Sequence, residues 1–101
     1  MKENEWHELV YNEEQLKNLI INIGKNVKVE RESKNYSISQ LCERANISSL
    51  HLCRIEKGTN PISVSTLIKI SIALNIPVTR LMPETLEQSL ELLEQLEKQK
   101  V

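Results

Sequence analysis

Apolar positions recur along this chain at steps of three and four residues. Leu16, Leu19, Ile20, Ile23 and Val27 line one side of a first helix,. Asn12 suits its N-cap, Gln15 completes a capping-box-like pattern, and the helix is expected to end near Ser33, leaving through Lys34-Asn35,. Gly24 sits inside it, costs about 1 kcal/mol relative to Ala and admits a break there,. Ser37 opens a second helix, with Gln40 three residues on and Ile38, Leu41 and Ala45 as its apolar positions,. Asn46 tolerates the left-handed backbone that ends a helix,. Ser48 caps a third, with Leu52 and Ile55 inward and Gly58 just past its end,. Ser63 caps a fourth, in which Leu67, Ile70, Ser71 and Leu74 repeat. Asn75-Ile76-Pro77 ends that one, and Pro77 can open a brief helix through Leu81,. Beyond Pro83, Thr85 and Gln88 open a last amphipathic segment,. No stretch alternates as a strand would, so the expected fold class is all-α. Residues 1–11 stay ambiguous, with Trp6, Leu9 and Val10 in either a helical turn or a packed arm.

Composition bounds this picture. A chain of 101 residues, 40% apolar and 27% charged, is long enough for one ordinary domain with a short element at either end,. With 2 Gly and 3 Pro, helices joined by short turns are favoured,. No apolar run approaches the length of a membrane span,. The start MKENEWHELV lacks an apolar signal core, and Cys42 and Cys53 are too few for a disulfide framework,. A cytoplasmic protein with free thiols is the expectation.

The formal net charge of -1 disfavours an anionic partner only when it is averaged over the whole chain,. Residues 1–22, an acidic extension leading into the first helix, carry Lys2 and Lys17 against five Glu, a net -3. Residues 84–101 carry Lys98 and Lys100 against five Glu, again -3. The core, 23–83, holds nine Lys or Arg against Glu30, Glu32, Glu43 and Glu56, a net +5. A basic core between two acidic ends is compatible with nucleic acid.

Residues 37–58 place two short helices around a tight turn, Asn46-Ile47-Ser48. This is the layout of a DNA-binding helix-turn-helix, whose first helix and turn hold the second so that its N-terminal residues reach base edges in the major groove. The stretches IGKNVKVERE, SISQLCERANIS, LCRIEKG and TLIKISIALNIPVTRL then resemble the Cro/phage-repressor-type, or XRE, family over residues 23–82. The resemblance implies a compact five-helix domain, to which this chain adds an N-terminal extension and a C-terminal helix. It implies sequence-specific operator binding as a homodimer on a palindromic site.

Carried over by position, Arg31 and Glu56 match a structural salt bridge between the first and third helices. Ser48, Ser49, Leu50 and Arg54 match groove-facing positions: hydroxyls for phosphate or bases, an aliphatic contact for a thymine methyl, and a guanidinium for guanine,. Leu50 suits packing equally well. Lys57 matches a backbone contact; His51, on its own chemistry, suits a surface or phosphate contact, and Asn60 in the next loop is a further candidate DNA contact. The family's glutamine at the first turn of the second helix is Ile38 here, which cannot bond phosphate; Ser37 and Ser39 are the substitutes. Cys42 replaces a small alanine and Asn46 a turn glycine, both mild changes, and Pro61 comes one residue early,.

No other chemistry stands out. His7, Cys42, His51 and Cys53 lack metal-ligand spacing, and neither a phosphate loop nor a nucleophile–base pattern is present, so no enzyme, metal or cofactor is expected,. Cys42 fits a core position, and Cys53 fits either a plain surface or a redox-sensitive thiol near DNA,. Leu86, Leu90, Leu93 and Leu96 form an apolar band that needs cover, from the chain's own N-terminal segment, from a homodimer partner, or from both,. The expected function is a DNA-binding transcriptional regulator, most simply a repressor, controlled by concentration, a protein antagonist or a co-regulator. A restriction-modification controller and an antitoxin share this fold. The rival from another class is a protein-interaction module that has lost DNA binding.

Overall fold

The computed structural model describes residues 13–83; Asn12, Trp6, Leu9, Val10 and the leucine band from Leu86 to Leu96 lie outside them. Four α-helices follow in order: α1 Glu13–Ser33, α2 Ile38–Ala45, α3 Ser49–Lys57 and α4 Val64–Leu74. A 3-10 turn, Val78–Arg80, closes the described chain, and no strand occurs among these residues.

Each boundary has a local cause. Ser37 accepts from the Gln40 amide at 3.1 Å while the Gln40 side chain accepts from the Ser37 amide at 2.8 Å, a complete capping box,. Ser48 and Ser63 accept from the amides of His51 and Thr66,. Asn35, Asn46 and Asn75 take positive φ where helices end, and Gly58 does so at φ 71° after α3,. The fifth helix implied by the resemblance is this single 3-10 turn. Pro77 enters it with ψ 144°, and so short a stretch closes only i to i+3 bonds, Arg80 N to Pro77 O and Leu81 N to Val78 O, both 3.0 Å,.

Val27, Leu41, Leu52, Ile55, Ile70, Leu74 and Leu81 are fully buried and form one core. Across it α1 packs mainly on α3, and α2 on α4. α1 is unbroken at Gly24, contrary to the break that glycine admitted. A Cβ built there would overlap the carbonyl oxygen of Ile55, so Gly24 is where the α1 and α3 backbones touch,. A Cβ at Gly58 would likewise come within 2.8 Å of Ile21 Cα. Further out on α1, Leu16 is 48% exposed. The chain's exit is held on α1: Asn26 Nδ2 donates to Leu81 O at 3.1 Å and Met82 O at 3.3 Å, and Arg80 pairs with Glu30 at 3.7 Å.

Candidate nucleic-acid interface

The helical period sorts α3 into two sides. Leu52, Ile55 and Glu56 point inward, and Leu50, Arg54 and Lys57 fall at i, i+4 and i+7 on the opposite side, all exposed,. Leu50 is 59% exposed, so it is not a core residue. Among the described residues no carboxylate pairs with Arg54, in contrast to Arg31 and Arg80. His51 and Cys53 flank this face half-buried, while Ser49, Ser39 and Asn60 are exposed. The Ser37 and Ser48 oxygens accept backbone amides as caps, which leaves each hydroxyl proton free to donate outward,.

The helix ends add a field of their own. The first turns of α2, α3 and α4 contain no acidic residue, whereas α1 begins with Glu13 and Glu14. An N-terminus carries about half a positive charge, and carboxylates usually complement it. Here serine caps satisfy the amides without cancelling that charge, which leaves α2 and α3 attractive to phosphate. Arg44, Arg54 and Lys57 lie in the last turns of the same two helices.

One arrangement holds α3 in place, and a second braces the turn entering α2. Arg31 is buried and reaches Glu56 with two bonds, Nε to Oε2 at 2.8 Å and Nη2 to Oε1 at 3.1 Å. Its Nη1 donates to Tyr36 O at 2.8 Å, so one guanidinium ties α1 to α3 and to the turn entering α2,. Hydrogen bonding to Glu56 outweighs desolvation and raises the Arg31 pKa, keeping it charged,. At the other end of the α2 entry, the Arg44 guanidinium lies 4.9 Å from the Tyr36 ring centroid,.

Ile38, the departure from the family glutamine, packs half-buried against the core rather than facing outward. It lines a shallow hollow with Lys28, Cys53, Glu56 and Lys57. Lys28, 57% exposed at its side chain, is a basic group that reading along the sequence did not place at the interface. Its signal was its position one turn before Arg31, the residue that docks on Glu56 beside Lys57. Cys42 is buried, and desolvation raises its pKa so that it stays a thiol,. Among the described residues no group of His, Cys, Asp or Glu could hold a metal ion, and no helix is long and apolar enough to cross a membrane.

A bihelical unit of this kind, with a free cationic face on its second helix, is a helix-turn-helix. The helix-turn-helix family pattern matches residues 27–81. The transcriptional regulator SinR of Bacillus subtilis is 39% identical over 64 residues, covering 61% of this chain and 57% of SinR. Among solved structures, SinR, the master regulator for biofilm formation, in complex with DNA superposes with a TM-score of 0.57 at 35% identity, over 58% of this chain and 95% of that one. The restriction-modification controller C.AhdI of Aeromonas hydrophila superposes at 0.61 with 21% identity, over 62% and 96%, a likeness of fold. The chain belongs to the XRE-type helix-turn-helix family of DNA-binding regulators. It spans little more than half the length of the curated SinR it matches.

Proposed function

We propose that this protein regulates transcription from the cytoplasm by binding a palindromic operator as a homodimer, with α3 in the major groove. The observation that carries the proposal is the Leu50–Arg54–Lys57 face, which has no carboxylate partner among the described residues and is flanked by two serine-capped helix N-termini. In this reading Arg54 contacts guanine and Leu50 a thymine methyl. Ser37, Ser39, Ser48, Ser49 and His51 meet phosphate or base edges, and Lys57, Asn60 and Lys28 meet the backbone. Residues 23–83 are the DNA-binding unit, residues 1–22 an acidic extension, and residues 84–101 a dimerisation element. The likeness to SinR in complex with DNA supports the docking, as does the family match over 27–81, which spans the bihelical unit. Occupying an operator that overlaps a promoter would repress.

The test is a salt series on duplexes selected from a random library and on random duplex. Six phosphate contacts shared by two copies would weaken the specific complex about 10³-fold between roughly 50 and 200 mM salt. No binding to either duplex at low salt would leave the protein-interaction module as the surviving reading.

A further inference from the structure

The N-terminal half of α1 carries an apolar stripe that the described residues cover only in part. Leu16, Leu19, Ile23, Asn26 and Glu30 step by three and four and share one side of the helix,. Val27, beside this stripe, is fully buried; Ile23 and Leu19 are half-buried, and Leu16 is 48% exposed. Cover therefore thins toward the start of α1. The two polar members of the stripe hold the departing chain. Glu30 pairs with Arg80, and Asn26 Nδ2 donates to Leu81 O and Met82 O. The chain thus leaves along the stripe from Glu30 toward Asn26, antiparallel to α1, with Leu81 and Pro83 buried as it goes.

We infer that residues 84–101 continue this path as a helix that packs antiparallel on Leu16, Leu19 and Ile23 of the same chain. The inference stands apart from the DNA-binding reading. Path, spacing, length and charge select this occupant. The chain is already seated on the stripe at its exit, so the segment meets it at a high effective concentration that a separate molecule lacks,. Leu86, Leu90 and Leu93 recur at i, i+4 and i+7, and Ile23, Leu19 and Leu16 offer the same period in reverse order,. Ten residues separate Asn26 from Leu16 and ten separate Pro83 from Leu93, about 15 Å of helix on each side, so Leu93 arrives beside Leu16,. That direction also brings Lys98 and Lys100 to Glu13 and Glu14, whereas a parallel run would set Glu84 and Glu87 there,. The leucine band is thereby divided. Leu86, Leu90 and Leu93 close on α1, and Leu92 and Leu96, on an adjoining side at helical period, are left for the contact between copies,.

The experiment uses the full chain, without DNA, in a Cys53→Ser background, because Cys42 is buried and Cys53 is half-exposed. Two cysteine pairs are compared, Leu16→Cys with Leu93→Cys and Leu16→Cys with Leu86→Cys. Mild oxidation is expected to close the first pair within one chain, at a rate independent of protein concentration, and to leave the second open. Circular dichroism of the reduced variants should match the parent. Closure of the second pair instead would make the packing parallel. A disulfide between chains, formed faster at higher concentration, would hand the stripe to a second copy. No disulfide from either pair would leave the stripe to another occupant, and each of these three results overturns the inference. A second measurement keeps native cysteines: Leu90→Glu is expected to speed amide exchange of residues 16–23 roughly 10–100-fold, as losing one buried leucine should, and to leave α3 and α4 as protected as before. Unchanged exchange over 16–23 also overturns the inference, and neither result bears on whether the protein binds DNA.

Discussion

Arg31 and Arg54 are the same residue type in opposite circumstances, and the contrast separates structure from recognition. Arg31 is buried, with bonds to Glu56 and to Tyr36 O, so its charge is spent inside the protein. Arg54 projects from α3 with no carboxylate partner among the described residues. Arg54→Ala is therefore expected to cost about 1–3 kcal/mol on the selected duplex and much less on random duplex. Parallel titrations of the two duplexes measure this, and equal losses would make Arg54 a phosphate contact. Arg31→Ala leaves the largely buried Glu56 carboxylate unpaired and frees Tyr36 O, so about 3–5 kcal/mol of stability should be lost,. Urea unfolding followed by circular dichroism reads this directly. Both positions were evident along the chain by their match to the family, Arg54 in the RIEKG phrase and Arg31 in IGKNVKVERE. Lys28 was not, because a lysine on an amphipathic helix looks like any solvated charge until α1 is docked on α3.

At the scale of elements, the helices begin and end as the cap residues dictate, because a cap acts over three or four residues. Ser37, Ser48 and Ser63 start helices and Asn46, Gly58 and Asn75 stop them without help from distant parts of the chain. Gly24 is the opposite case. Counted as a helix weakener, it suggests a break; in the fold it is the only residue type that lets α1 lie against the Ile55 carbonyl. Gly24→Ala gains about 1 kcal/mol in helix propensity and should still destabilise the protein by a net 1–2 kcal/mol, because an overlapped backbone oxygen cannot yield cheaply. A thermal melt raised by this substitution would contradict the close α1–α3 contact. Asn46→Ala places a Cβ-bearing residue without a compensating side chain at φ 55°, and about 1 kcal/mol should be lost,. Asn46→Gly should retain or improve stability, in the same unfolding assay.

Across the whole molecule, the charge distribution divides the work. The basic core, 23–83, holds the candidate interface, and each end of the chain carries a net -3. Removing residues 84–101 is expected to weaken self-association in free solution, measured by sedimentation. An unchanged sedimentation profile would reassign the whole leucine band to packing within one copy.

What this sequence determined by itself is the order of helices, their limits and the inward positions Leu41, Leu52, Ile55, Ile70 and Leu74. Those follow from caps and periodicity, which are written within a few neighbouring residues. The tertiary structure decided how a glycine serves as a contact, that Ile38 turns to the core, that Lys28 joins Lys57, and that α4 keeps Val64, Ile68 and Ile72 outward. These depend on which helix faces lie against one another, and that is settled only by packing residues 25 or more positions apart, as Arg31 and Glu56 are.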